Sequence, residues 1–188
     1  MTRKKPAPIP DAAGLRAAAL HYLARYAASS GNLRRVLRAR IDRAARQHPE
    51  LHGDAERLNA LRQEADNIVA MCLREQYLDD DAYAAMKARR GRIQGKSSAA
   101  LAARLQSQGL TRTQISGALA AADGDDAQAE YKAALLLARR KRLGRFRAQP
   151  ADAAVQRRRD LAVLARAGFS RAVAHRALRD EDDEMSGM

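Results

Sequence analysis

The chain has no tryptophan, a single cysteine and only seven aromatic residues, five Tyr and two Phe, in a length of 188. One thiol rules out an internal disulfide framework. Valine and isoleucine together number ten and threonine three, so strand-forming residues are scarce. No apolar run exceeds six residues; Ala133 to Ala138 is one of that length, far short of the roughly 20 that span a bilayer. The basic start, Met1-Thr2-Arg3-Lys4-Lys5-Pro6, leads into no apolar leader core. These absences set the expectation of a cytoplasmic protein with no membrane partner.

What the chain has is alanine, 43 residues of it, together with leucine, arginine, glutamine and glutamate, all strong intrinsic helix formers. So little bulky apolar content cannot fill a wide core, but it suits thin layers of closely approaching helices. The expected fold class is all-α. Lys and Arg total 35 against 22 Asp and Glu, a net charge of +13. A balance that basic implies an acidic partner, either nucleic acid or an acidic protein surface.

Along the chain, residues 1–10 read as a disordered basic arm spaced by Pro6, Pro8 and Pro10. Helical spacing then places Leu15, Ala19, Tyr22, Leu23 and Tyr26 on one face. Asn32 is the expected N-cap of a second helix with Leu33, Val36, Leu37, Ile41 and Ala44 inward. Asp54 caps a third, long pattern that runs through Leu58, Leu61, Ala65, Ile68, Val69 and Cys72. A helix over about 80–90 is expected to turn Tyr83 and Met86 inward, and Gly91 to Ser98 reads as a loop. Gly109 closes the next helix and Thr111 with Gln114 forms a capping box. Asp123-Gly124-Asp125-Asp126 opens a helix that buries Tyr131, Ala134, Leu135 and Ala138 and continues through Arg139 to Arg142. After a loop at Pro150 come Val155, Leu161 and Leu164, Gly168, and a last helix capped by Ser170.

Two stretches repeat each other. Leu101 to Leu119 and Leu161 to Leu178, aligned on Gly109 and Gly168, share glycine, an apolar residue, a hydroxyl, arginine and a closing Ala-Leu. Both glycines are therefore expected at left-handed helix ends. The unit implied is three helices in about 45 to 55 residues, a size that stacks as an array. The expected architecture is an elongated array of three tandem three-helix repeats. These cover 11–79, with an insertion at about 46–63, then 80–124 and 125–180; 181–188 is an acidic tail.

Tyr77-Leu78-Asp79-Asp80-Asp81-Ala82-Tyr83-Ala84 resembles the "GYLDDxxFA" signature that joins the first two repeats of the RecX regulatory proteins. Gly95-Lys96 with Leu101, Leu105 and Gly109-Leu110, then Leu137 to Lys141 and Arg166 to Ser170, are similar to that family's later motifs in order and spacing. Gln76 stands where the family has glycine, so a left-handed turn there carries a cost. The resemblance implies a negative modulator of the RecA recombinase. Such a protein binds the RecA–DNA filament and restrains its growth, strand exchange and co-protease activity.

Two basic sets are the candidate binding residues. One is Lys87, Arg89, Arg90, Arg92, Lys96 and Arg104, whose neighbouring glycines would let backbone amides approach a phosphate. The other runs from Arg139 to Arg159 with Arg139, Arg140, Lys141, Arg142, Arg145, Arg147, Arg157, Arg158 and Arg159 against one acid, Asp152. With Phe146 alone lying between members of these sets, base stacking is not expected, and contact with DNA would run through the phosphate backbone without sequence preference. His48 and His52 have metal-pair spacing, but Pro49 and Gly53 break the helix such a pair needs. No nucleophile elbow or Walker loop occurs, so no catalytic, cofactor or metal residue is expected, and the chain reads as a monomeric, non-enzymatic protein. The competing reading is a sequence-independent DNA-binding or architectural protein. A helix-turn-helix around Thr111 to Leu119 ranks behind both for want of base-reading side chains.

Overall fold

Alanine-rich stretches interrupted by hydroxyl and carboxylate caps specify helices. The computed structural model, which describes residues 8–147 and 153–179, contains ten α-helices and no strand among them. They are α1 (Ala12–Leu23), α2 (Ser30–Gln47), α3 (Pro49–His52), α4 (Ala55–Arg74), α5 (Asp80–Ile93), α6 (Ser98–Ser107), α7 (Arg112–Asp123), α8 (Ala129–Lys141), α9 (Ala153–Arg166) and α10 (Arg171–Leu178). No helix among the described residues is long and apolar enough to cross a membrane. Most of the arm expected over 1–10, the loop at Pro150 and the acidic tail lie outside the described residues. Within that arm, Ile9 packs on Ala44, Ala45 and Leu51.

Side-chain caps account for most of the starts. Asp54 accepts from the Arg57 amide, Ser170 from Val173, and Thr111 with Gln114 closes a full capping box, as their positions predict. At α2 the cap is Ser29, not Asn32: the Ser29 hydroxyl accepts from the Asn32 amide, and the Asn32 side chain donates to the Tyr22 hydroxyl at 2.8 Å. α8 begins at Ala129 with no side-chain cap, later than the aspartates suggest. Asp126, before the helix, accepts from Lys132 and from the Gln128 amide instead, which hold its carboxyl below the ordinary range.

Gly109 and Gly168 adopt φ +85° and +88°, the left-handed ends expected of them. Gln76 and Arg142 do the same at +60° and +52° without glycine's freedom. Arg142 therefore leaves α8, and Arg139 and Arg142 do not share a helix face as their spacing suggests.

The chain divides into two units: one runs to Tyr83 and takes in Gln108–Leu110, and the other comprises Ala84–Ser107 with Thr111 onward. In the first, α1, α2 and α4 enclose Leu15, Leu33, Leu37, Ile41, Val69 and Cys72, all at zero exposure. Burial pushes the Cys72 thiol up, against a smaller opposing pull from Arg16. Tyr26 lies past the end of α1 and is exposed rather than inward. In the second unit, α8, α9 and α10 pack through Ala134, Leu137, Ala138, Leu164, Phe169 and Ala177. Leu137 takes the inward place expected of Leu135, and Val155 is exposed. On α5 Tyr83 is buried as expected, together with Ala84, Ala88 and Gly91, while Met86 faces out. Small residues line that face because Gly91, which is helical rather than looped, meets Leu101: a β-carbon there would lie 2.2 Å from the leucine Cδ2.

Each unit contains the same junction. Ser29 donates its hydroxyl to the Gln108 carbonyl at 2.6 Å, one residue before left-handed Gly109. Ser97 donates to the Ala167 carbonyl at 2.6 Å, one residue before Gly168. The next serine binds a carboxylate in the first turn of another helix: Ser30, through amide and hydroxyl, takes Asp80, and Ser98 takes Glu130. Backbones touch at these points, since a β-carbon on Gly31 would come within 2.7 Å of Gly109 Cα and 2.5 Å of the Gln108 carbonyl oxygen.

Gly31→Ala is expected to destabilise the protein by about 1–3 kcal/mol through overpacking against backbone that cannot move aside. Gln76→Gly is expected to stabilise it by about 1 kcal/mol by removing the left-handed strain. Thermal unfolding of both variants checks the pair; a Gly31→Ala protein as stable as wild type would show that the junction is loose.

Candidate functional site

All fifteen cations singled out in the sequence fall within the second unit, and the structure separates them into two groups. Some are consumed by the fold. Arg92, near the end of α5, is 9% exposed. Its Nε and Nη2 form a fork on Asp123 at the end of α7, both at 2.6 Å. Nη1 bonds Glu130 in the first turn of α8 at 2.6 Å and the Lys96 carbonyl at 3.1 Å, and Nη2 also donates to the Ser98 hydroxyl. Burial pulls the Arg92 pKa down, but the hydrogen bonds and charges of Asp123 and Glu130 outweigh it, and the net shift is upward. Arg92 is thus a clamp joining four helices, unavailable to a phosphate.

The glycines beside it do not form an anion cradle either. Gly91 packs against Leu101, and a β-carbon on Gly95 would meet the Ala133 carbonyl and Leu136. The backbone approach expected there is made to the protein's own helices.

In the later set, Arg147 pairs with Asp160 at 2.9 Å, and Asp160 also accepts from the Gly144 amide and the Gln156 side chain. That carboxylate, 4% exposed, pins the turn after α8 to α9. Arg145 lies half-buried with its guanidinium 5.1 Å from the centre of the Phe146 ring. Arg140 donates to the Gln94 carbonyl at 3.0 Å, closing the end of α5. Tyr131, expected in the core, instead lies half-buried under the Arg176 guanidinium, 4.1 Å from its ring centre.

Apart from half-buried Lys87, the rest are exposed. Arg139, Lys141 and Arg142 at the end of α8, and Arg157, Arg158 and Arg159 on α9, make no ion pair among the described residues. Neither do Arg89, Arg90, Lys96 and Arg104. Successive helical residues are about 100° apart, so Arg158 and Arg159 point away from buried Asp160 and Leu164, while Arg157, three residues before Asp160, is exposed at the flank of that side. With Asp160 already bound, the exposed ends of α8 and α9 present uncompensated positive charge.

A third basic set is visible only in the structure. Arg25 from the end of α1 and Arg40 and Arg43 from α2 surround a groove in the first unit that also contains Tyr22 and Tyr26. The sequence signal was present as arginines and tyrosines, but on two elements brought together by packing. Among the described residues no group of His, Cys, Asp and Glu is placed to hold a metal ion.

No family model matches the chain. It is similar to the regulatory protein RecX of Myxococcus xanthus (strain DK1622), with 42% identity over 161 residues that cover 86% of this chain and 82% of that protein.

The division of cations makes a prediction. Arg92→Lys loses the fork and leaves two quarter-exposed carboxylates underpaired, and is expected to destabilise the protein by about 2–3 kcal/mol. Arg89→Ala, on the exposed side of the same helix, is expected to change stability by no more than about 0.5 kcal/mol. Urea unfolding of the two variants measures the contrast.

Proposed function

Because the chain belongs to the RecX family of regulatory proteins, we propose that it is a non-enzymatic negative regulator of the RecA recombinase. It binds the RecA–DNA filament and restrains filament growth, strand exchange and co-protease activity. The observation that carries this reading is the uncompensated positive surface of Arg139, Lys141, Arg142, Arg157, Arg158 and Arg159. It is formed by two adjoining helix segments of a chain whose net charge is +13. A polyanionic filament is the partner such a surface attracts, through phosphates, acidic side chains or both, and without reading sequence. Arg89, Arg90, Lys96 and Arg104 extend the same chemistry, while Arg92, Arg145 and Arg147 support it from within the fold.

We further propose that the architecture is three tandem repeats of three helices: α1, α2 and α4 with α3 as the insertion, then α5 to α7, then α8 to α10. Support comes from the twice-used Ser-Ser junction. Each time it links the second helix of one repeat to the first helix and the glycine turn of the next. Exposed charges contribute little to folding, so binding and stability are separable.

Reversing Arg139, Arg157 and Arg158 to Glu is expected to weaken inhibition of RecA-dependent ATP hydrolysis and strand exchange at least about tenfold, with melting changed by little. Inhibition by wild type is expected to fall steeply between about 50 and 200 mM salt. Full inhibition by the triple variant would move docking to another surface. Equally tight binding to bare DNA would favour the architectural reading.

A further inference from the structure

The groove in the first unit was not among the candidate sites, and its chemistry differs from theirs. Its volume is about 390 Å³, within the range of ligand-binding clefts. The floor is apolar, from Ala18, Val36 and Leu37. Tyr22 on α1 and Tyr26 just beyond its end form the aromatic part, with ring centres 5.1 Å apart and planes tilted by 40°. The Tyr22 hydroxyl is engaged by Asn32, which fixes that ring. Tyr26 is 57% exposed, as is Tyr77 elsewhere in this unit, but of the two only Tyr26 stands beside unpaired arginines in a groove. Around the pair stand Arg25, Arg40, Arg43 and His21, with no carboxylate among the lining residues.

The arginines of α2 divide sharply. Arg34 and Arg38 face α4 and share Asp66, at 2.9 and 2.8 Å. Arg40 and Arg43, three residues apart and therefore on one side of the helix, face the groove and make no ion pair among the described residues. Neither does Arg25. Pairing was available to this helix and is absent where the tyrosines lie.

An unpaired row of guanidinium groups beside an exposed aromatic face is the combination that holds a flexible polyanion with flat rings. Phosphates lie on the cations and a base stacks on the ring. An acidic peptide would satisfy the arginines but leave Tyr26 without a purpose. We propose that this groove binds single-stranded nucleic acid, with a base stacked on Tyr26 and adjacent phosphates on Arg25, Arg40 and Arg43. Stacking needs an unpaired base, so the site distinguishes single strands from duplex, which the exposed cations of the second unit do not. The proposal does not depend on the recombinase reading.

The test uses the full chain without recombinase, measuring fluorescence anisotropy of a labelled oligothymidylate of about 16 nucleotides and of a duplex of equal length. Tyr26→Ala is expected to weaken single-strand binding about tenfold or more and leave duplex binding unchanged, with Tyr26→Phe retaining wild-type affinity. Arg40→Glu with Arg43→Glu is expected to weaken single-strand binding at least as much, with melting confirming that the variants fold. Single-strand binding by Tyr26→Ala as tight as wild type would overturn the proposal. So would an equal loss on duplex, or displacement of the oligonucleotide by polyglutamate as efficiently as by unlabelled oligothymidylate, the last assigning the groove to an acidic protein segment.

Discussion

A serine hydroxyl donated to the carbonyl in front of a left-handed glycine is the contact on which the rest of each unit is arranged. It requires two backbones to approach within van der Waals distance, and the residues around it are correspondingly small: Gly31 against Gly109, Ser97 and Ala99 against Gly168. Ser29 and Ser97 are both fully buried, and each hydroxyl also accepts from an amide in the first turn of its helix. One side chain thus caps its own helix and holds the turn of a distant one. The neighbouring serine adds a carboxylate from the start of a further helix, so three chain segments meet at two adjacent residues. An alanine-rich protein with few large apolar groups gains definition from such directional bonds, because thin layers of methyl groups alone specify register weakly.

The same economy governs the charges. Arginine is abundant enough to serve as both framework and surface, and what separates the roles is the presence of a carboxylate within reach. Asp123 with Glu130, Asp160 and Asp66 each retain one or two guanidinium groups. Arginines left without such a carboxylate include those at the ends of α8 and α9, Arg89, Arg90 and Arg104, and those of the groove beside α1. The acidic residues therefore shape the positive surface by removing cations from it.

How much of this was legible beforehand depended on whether the determining interaction was local. The capping box at Thr111 and Gln114, the caps at Asp54 and Ser170 and the glycine ends at 109 and 168 are all set by residues within a few positions, and their sequence reading agrees with the structure. The N-cap of α2 lies three residues before the expected one: Ser29 and Asn32 are equally good caps by type, and a carbonyl 79 positions away decides for Ser29. Arg92 looks no different from Arg89 or Arg90 until Asp123 is brought beside it. Met86 lost the inward position to Ala84 and Ala88 because close helix packing at Gly91 favours small residues over bulky ones. The tyrosine–arginine groove was illegible for the same reason: its parts belong to different helices.

Cys72 is the chain's single thiol, and it lies at zero exposure in the core of the first unit, with burial holding it in the neutral form. Only the thiolate reacts with an alkylating reagent, and here it forms only when α1, α2 and α4 part. The rate at which the protein takes up one equivalent of reagent is therefore an internal clock for the opening of that unit. Because the second unit contains no cysteine, the clock is blind to anything that happens there, and its trace times the opening of the first unit alone.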